Sequence, residues 1–190
     1  MLSLLPFSES GQGSGRLSAW LVVTSVIAAV AAAISGAFLL FGPERIWSLF
    51  GPADLGPVMF ESLQRSAAPN DALACPPDLC PAKIDIVPPE FSVSPSALRE
   101  AFSRAILSER RLTLVDIDDR MSTDRYVQRS EKMRFPDTIV VRFLERPGGR
   151  STIAIYSRSQ LGRGDLGVNR ARIERWLEKL GREVGAVRRS

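Results

Sequence analysis

The chain has 190 residues, a formal net charge of +4, no histidine and two cysteines. Without an imidazole, the sequence excludes the Ser-His-Asp and Cys-His nucleophile arrangements. Zinc sites are excluded as well, because His and Cys are the main ligands of zinc. Any catalysis would rest on carboxylates, hydroxyls or basic side chains. A non-enzymatic role without a metal or a cofactor is therefore favoured, and an enzymatic function remains an alternative.

Charge is unevenly distributed along the chain. Residues 1–90 carry 4 basic and 8 acidic side chains, a net charge of −4, whereas residues 91–190 carry 21 basic and 13 acidic side chains, a net charge of +8. The basic residues are nearly all Arg, which matches carboxylates and phosphates, so an acidic partner or an anionic headgroup is one interpretation. An ordinary solvated surface is favoured, because acidic residues are interleaved with the Arg. The sequence has no run of basic residues and no known nucleic-acid recognition motif, so nucleic-acid binding is not predicted.

Residues 17–43 contain no charged side chain and predict a single transmembrane helix after an N-terminal tail at 1–16. The stretch exceeds the ~20 apolar residues that cross a ~30 Å hydrocarbon layer. Trp20 and Trp47 suit the two interfaces. A cleaved signal peptide is the alternative, but its apolar region spans only about 7–15 residues behind a positive start. An uncleaved anchor is therefore favoured.

Residues 44–92 are rich in Pro and Gly, and we interpret them as a juxtamembrane strap. Its first part, ERIWSLF at 44–50, either lies in the membrane interface or forms a buried turn of helix. Cys75 and Cys80 stand among prolines at a spacing that can close a small disulfide loop, with two free thiols as the alternative. Because disulfides persist outside the cytosol, we expect the main domain to be periplasmic or otherwise exoplasmic.

Residues 93–185 predict an α+β domain of the order helix, four antiparallel strands, helix, before a tail at 186–190. Ser94-Pro95 is a helix start, and Pro147-Gly148-Gly149 is a hairpin turn. The hairpin-length connections imply a meander with both helices on one face. The predicted strands are 111–117, 125–129, 138–144 and 152–156, and the last helix carries Ile173, Trp176, Leu177 and Leu180 on one stripe.

Residues 162–167 read GRGDLG, which matches G-x-G-x-x-G. The dinucleotide fingerprint also requires a second parallel strand after the helix. After Leu180 only a short polar segment follows, so no NAD or other dinucleotide is expected. The glycines either permit a tight strand-to-helix loop or help to build an anion pocket at the helix N-terminus.

Five residues form the candidate site around this loop, as an anion-binding or structural cluster: Arg158, Arg163, Asp165, Asn169 and Arg172. In the structural interpretation, which is favoured, Asp165 caps the helix and Asn169 ties the loop down. In the anion-binding interpretation, backbone N–H groups and the Arg side chains hold a phosphate or headgroup. No residue of the cluster is predicted to be catalytic.

Three segments carry a resemblance to a known family: APNDALACPPDLC at 68–80, RFPDTI at 134–139 and YSRSQLGRGDLGVNRARIERWLEKL at 156–180. Together they resemble the domain-of-unknown-function family 1499 over roughly residues 65–182. Members are often bacterial proteins with membrane segments, and relatives occur in plastids. The resemblance implies a domain type and no activity, substrate or cofactor.

Three functions follow as hypotheses. The first is a membrane-tethered, non-enzymatic domain that binds a membrane-protein partner or assists assembly of a membrane complex. The alternative is a module that binds an anion or an anionic lipid headgroup at the Gly162–Asn169 loop. The least favoured is a hydrolase that pairs Asp165 with Asp137 or Asp116, which requires two carboxyl groups about 5–10 Å apart in a cleft.

Overall fold

The computed structural model describes residues 13–187. The chain divides after Ile46 into two compact units, and each is described by itself. Residues 1–12 of the predicted N-terminal tail and residues 188–190 of the predicted C-terminal tail lie outside the described residues.

The first helix, α1 (Gly13–Ser48), is long and apolar. Residues Ala19–Ser48 have a mean hydropathy of 2.2 over their most apolar window. The helical backbone angles are interrupted at Gly42 (φ 74°, ψ 155°), and Pro43 follows. Up to that kink the helix extends over about 40 Å, which exceeds the ~30 Å of a hydrocarbon layer. By length and composition α1 can therefore span a membrane.

The second unit is built on one antiparallel sheet, which confirms the α+β class. The strands lie in the order β1-β5-β4-β3-β2, so the last four form the predicted meander. All four predicted strands are present, and the sheet has one strand more than predicted, because a fifth strand lies in the segment interpreted as a strap. The bounds are β1 (Asp71–Ala74), β2 (Leu112–Asp118), β3 (Thr123–Arg129), β4 (Pro136–Arg146) and β5 (Arg150–Ser159).

Local signals determine how the strands begin and turn. Arg146 pairs with Arg150, so residues 147–149 form the predicted hairpin loop. Gly148 and Gly149 both have positive φ there (78° and 68°), which explains why the loop needs glycine. Among the described residues, β2 pairs only with β3, and its register shifts between Leu114 and Asp116. β2 is therefore a bulged edge strand.

Both remaining helices pack on one face of the sheet, as predicted. The helix α2 (Pro95–Ile106) starts at Ser94, whose hydroxyl accepts a hydrogen bond from the Ala97 N–H. The helix α3 (Val168–Val187) buries Trp176 completely. The Trp176 and Phe102 rings meet edge to face with centroids 5.7 Å apart, and Phe102 meets Phe143 at the same distance. Such aromatic pairs add about 0.5–1.5 kcal/mol each beyond area burial.

The segment before α2 covers the opposite face of the sheet. Phe60 and Leu63 are buried against Val140 and Tyr156, and Phe60 is 1% exposed. Cys75 and Cys80 belong to the same cluster and form a disulfide, as predicted. The sheet is therefore sandwiched between two helices on one side and an irregular but packed layer on the other.

Candidate functional site

The loop between β5 and α3 lines an open cavity of about 450 Å³ in the second unit. One wall is aromatic and consists of Trp47, Phe50 and Phe135. The loop contributes apolar side chains to the facing wall. The cavity is predominantly apolar with few polar groups. Its lining also includes Leu161, Leu166, Val168, Ser130, Ser159, Asp137 and Asp165.

The aromatic wall is held in place by direct contacts. The Trp47 and Phe135 rings lie 4.6 Å apart between centroids, and Trp47 and Phe50 lie 6.1 Å apart. The Trp47 indole Nε1–H donates a hydrogen bond to the Met133 carbonyl. Trp47 is thus anchored on the turn that precedes β4, while Phe50 stays 65% exposed at the mouth of the cavity.

The loop opposite presents an apolar side chain to solvent. Gly162 and Gly167 adopt positive φ (95° and 78°), which lets the chain turn sharply from strand to helix. Leu166 also has a positive φ, 53°, and is fully exposed. Non-glycine residues in this region are strained by about 1–3 kcal/mol, so the fold holds a leucine outward at a cost.

Asp165 caps α3 through both of its carboxylate oxygens. Oδ1 accepts from the Gly167 N–H at 3.0 Å, and Oδ2 accepts from the Asn169 N–H at 2.8 Å. The side chain therefore satisfies the helix N-terminus that an external anion would otherwise occupy. Both neighbours of β5 are antiparallel, so the glycines do not lie in the βαβ unit that binds a dinucleotide.

A buried polar network lies beneath the cavity and is centred on Arg172. Its Nε donates to Gln128 Oε1 at 2.6 Å, and Nη2 donates to Asp137 Oδ2 at 2.5 Å. Nη1 donates to Ser157 Oγ at 2.7 Å and to Asn169 Oδ1 at 2.6 Å. The Arg172 and Asp137 side chains are only 6% and 9% exposed. Every nitrogen of this guanidinium group donates, and four of its five N–H groups are engaged within the protein, so Arg172 is a structural anchor.

Asn169 extends the network to the edge of the sheet. Its Nδ2 donates to the Asn70 carbonyl and to Ser159 Oγ, both at 3.0 Å. Asn70 in turn donates through Nδ2 to the Gly162 carbonyl at 3.0 Å. These bonds join α3, the start of β1 and the loop after β5, and they fix the loop geometry from below.

The five predicted residues therefore separate into four environments. Asn169 and Arg172 lie together in the buried network, and Asp165 caps α3. Arg158 lies apart: its Nη2 donates to the Leu55 and Gly56 carbonyls at 2.8 and 3.0 Å, and its guanidinium stacks 5.7 Å from the Tyr156 ring centroid. Arg163 is exposed and makes no ion pair within residues 13–187.

A second charged cluster adjoins the network through Gln128, whose Nε2 donates to Glu109 Oε2 at 3.3 Å. Glu109 is 7% exposed and pairs with Lys179 at 2.7 Å and Arg175 at 3.1 Å. Burial raises the pKa of Glu109, but hydrogen bonds from Arg175 and Lys179 outweigh it and lower the pKa to about 2. The carboxylate is thus held ionised inside the fold.

The carboxylates named as hydrolase candidates all have structural partners. Asp137 and Asp165 line the same cavity, but Asp137 accepts from Arg172 and Asp165 accepts from two backbone N–H groups. Asp116 lies on β2 and pairs with Arg125 at 3.0 Å. Each carboxylate is engaged in holding an element in place.

The loop was predicted from the sequence, but most residues of the buried network and of the cavity wall around it were not. Asp137 was considered only as a carboxylate, and no role was predicted for Gln128, Ser157 or Asn70, which are polar residues within or beside strands. The sequence drew attention to all three residues of the aromatic wall without predicting the cavity: Trp47 and Phe50 belong to the ERIWSLF segment, and Phe135 belongs to the RFPDTI segment that carried the family resemblance.

The comparisons with known proteins agree with that resemblance. The model of a family described as protein of unknown function, DUF1499, matches residues 58–180. The matched region contains the sheet, the buried network and the loop, whereas Trp47 and Phe50 precede it. No curated protein matches the chain.

Proposed function

Because the chain belongs to the DUF1499 family, whose description names no activity, we propose a function from the cavity: a single-pass, membrane-anchored, non-enzymatic domain that binds the apolar chain of a membrane lipid. The observation that carries the proposal is the apolar cavity of about 450 Å³ beside the Gly162–Asn169 loop. Pockets for small ligands occupy about 300–1,000 Å³ and are lined mostly by apolar side chains with few polar groups. The cavity has both properties.

The position of the cavity along the chain favours a ligand from the membrane. Trp47 forms part of the aromatic wall and directly follows Ile46, the end of the unit that contains the candidate span. Only residues 42–46 separate Trp47 from the unbroken part of α1. Even fully extended, this tether reaches no more than about 20 Å. This short tether supports a ligand drawn from the membrane that α1 can span.

The rim of the cavity suits an apolar surrounding. Phe50 is 65% exposed, its neighbour Leu49 is 82% exposed, and Leu166 is fully exposed on the facing loop. Apolar side chains grouped in this way mark membrane or partner contacts. A lipid interface would bury these side chains and would also offset the backbone strain at Leu166.

Among residues 13–187, one cation at the loop is available to the polar end of the lipid, Arg163. Arg158 and Arg172 are engaged by carbonyl and side-chain acceptors, and Arg170 pairs with Glu174 at 2.9 Å. Arg163 lies on the exposed part of the loop. We therefore propose Arg163 as the residue that contacts an anionic headgroup.

The proposal also keeps the main domain on the exoplasmic side. The Cys75–Cys80 disulfide supports this side, because disulfides form and persist in oxidising compartments. The engaged carboxylates support a binding role over hydrolysis.

Photocrosslinking of the full chain in lipid vesicles tests this function. The vesicles contain a phospholipid whose acyl chain carries a diazirine, and mass spectrometry locates the labelled peptides. We expect label on peptides that contain Phe135 and Leu161, in addition to label on α1. Val168→Lys places a charge in the cavity lining and should reduce the label on these peptides several-fold, with α1 labelled as before.

Val87→Lys is the matched control, because Val87 is also exposed (64%) and does not line the cavity. Wild-type protein without label on the cavity peptides would contradict the proposal, as would equal labelling of Val168→Lys. Arg163→Gln tests the headgroup separately. It should reduce labelling in vesicles of anionic lipid and leave labelling in neutral vesicles unchanged, and equal labelling in both would remove the headgroup contribution alone.

A further inference from the structure

The two edge strands of the sheet differ in whether another segment covers them. The edge of β1 is covered, because the Cys75 N–H donates to the Ile86 carbonyl and the Ile86 N–H donates to the Leu73 carbonyl. Within residues 13–187, no segment pairs with the outer edge of β2. Open edge strands present unpaired N–H and C=O groups that a further strand can join.

The open edge is also apolar. Leu114, Val115 and Ile117 are 46%, 39% and 52% exposed, so β2 presents large hydrophobic side chains along most of its length. On the helical side, Leu114 continues into a groove of about 240 Å³ at the C-terminal end of α2. Leu107, which is 80% exposed, forms part of that groove. A solvent-exposed sheet edge is normally protected by shortness, charged side chains or bulges, and this apolar ledge carries a bulge and one central charge, Asp116.

Charges of opposite sign stand at the two ends of the strand. Arg110 and Arg111 precede β2, whereas Asp118 and Asp119 end it. The Arg110 and Asp119 side chains are 78% and 83% exposed. Arg110 pairs with the exposed Glu131 at 3.3 Å, and Asp119 pairs at 2.8 Å with Arg99, whose side chain is 23% exposed. Exposed pairs of this kind are weak and can exchange partners.

We propose that β2 docks a second copy of this chain in antiparallel register, with Leu114 opposite Val115 of the other copy. This register places Arg110 opposite Asp119 and Arg111 opposite Asp118, twice each by symmetry. Leu112 then faces Ile117, so apolar residues meet in the centre and opposite charges meet at both ends. A parallel arrangement would set Arg against Arg and Asp against Asp.

The symmetry of this arrangement accounts for the groove as well. Antiparallel pairing of identical edges requires a two-fold axis perpendicular to the sheet, which leaves both helical layers on the same side. The grooves at Leu107 of the two copies then adjoin each other across the seam and exclude water from Leu114. The result is one continuous ten-stranded sheet, formed from two copies of a five-stranded one.

Reciprocal charge reversal in the full chain tests the dimer. The molar mass is measured in mild detergent by sedimentation or light scattering, with detergent mass subtracted. The wild type should be a dimer at micromolar concentration. Arg110→Glu and Asp119→Arg should each weaken dimerisation about tenfold or more, because each sets like charges opposite each other twice. The double variant R110E/D119R should restore it.

Ile117→Lys should also give monomers, whereas the matched control Val87→Lys, at an exposed position away from the edge, should remain dimeric. Circular dichroism and thermal unfolding of each variant establish that the domain is folded. A monomeric wild type overturns the proposal. So does a dimer that persists in both single reversals and in Ile117→Lys, since the contact would then lie elsewhere, for example between α1 helices. Lipid labelling of the cavity should be unchanged in Arg110→Glu, so the outcome is independent of the lipid proposal.

Discussion

At the scale of single residues, Arg172 is the side chain on which the candidate site depends most. Replacing it by Met removes four hydrogen bonds and leaves Asp137 charged and buried without its partner. Breaking a buried ion pair in this way typically costs about 3–5 kcal/mol. We expect Arg172→Met to lower the free energy of unfolding by that amount in urea titrations of the full chain in detergent.

The matched control for that experiment is Arg170→Met, two positions earlier on α3. Arg170 is exposed and pairs with Glu174 one turn along the helix, and such a pair contributes only about 0.3–0.5 kcal/mol. Equal effects of the two substitutions would show that the buried network does not stabilise the fold in the way described.

Glu109 makes stability depend on pH in a defined direction. Its pKa is lowered from 4.5 to about 2 in the folded chain. A carboxyl group whose folded pKa is depressed stabilises the fold above its unfolded pKa, and that contribution disappears as the pH falls through the folded pKa. The wild type should therefore lose more thermal stability than Glu109→Gln between pH 4.5 and pH 2.

Melting temperatures of both proteins across that range provide the measurement. Above pH 5 the substitution should be clearly destabilising, because Arg175 and Lys179 lose their partner. Glu178→Gln is the control: Glu178 is 67% exposed and pairs only with Arg182, so its pH profile should match the wild type. Parallel curves for the wild type and Glu109→Gln would contradict the assignment.

At the residue scale, only part of the candidate site could be predicted from the sequence. The Gly-rich loop, the Asp165 cap and the proximity of Asn169 to Arg172 all follow from local spacing in the sequence. The partners of Arg172 do not, since Gln128 lies 44 positions away and Asp137 lies 35 positions away. The anion-binding interpretation placed Arg158 at the loop, whereas its Nη2 donates to the Leu55 and Gly56 carbonyls, a contact that no local signal in the sequence predicts.

At the scale of elements, the segment between α1 and α2 is the main difference from the sequence interpretation. The meander was predictable because alternation and turn residues are local signals. β1 was missed because it has only four residues and is defined by pairing with β5, Asp71 lying opposite Arg158. Phe60 and Leu63 lie in a stretch without periodicity, so their burial depends on a sheet face that forms from distant residues.

Truncation of Phe60 tests how much the segment between α1 and α2 contributes to the stability of the core. Phe60→Ala should lower the free energy of unfolding by about 3–5 kcal/mol, as in other buried aromatic truncations. Met59→Ala, at the adjacent position that is 55% exposed, should change it by less than about 1 kcal/mol. If Phe60→Ala were as mild as Met59→Ala, the segment would be a dispensable strap, as the sequence alone suggested.

At the scale of the whole molecule, the disulfide and the candidate membrane helix bear on the compartment in which the domain lies. The Cys75–Cys80 bond lies in the apolar layer that covers the sheet, and Cys75 is completely buried. A disulfide in this position would be reduced or absent in a cytosolic domain, whereas an exoplasmic domain keeps it. The span itself does not decide the side, because its flanking charges nearly cancel.

Protease accessibility combined with thiol labelling in intact cells determines on which side of the membrane the domain lies. With an exoplasmic domain, protease added outside should remove residues after α1. Denatured protein from cells quenched with acid should then show no free thiol unless a reductant is added. The variant with both cysteines changed to Ser serves as the labelling blank. A domain protected from external protease, with both thiols free, would place it in the cytosol. The lipid would then be drawn from the cytosolic leaflet, whose anionic headgroups would meet Arg163.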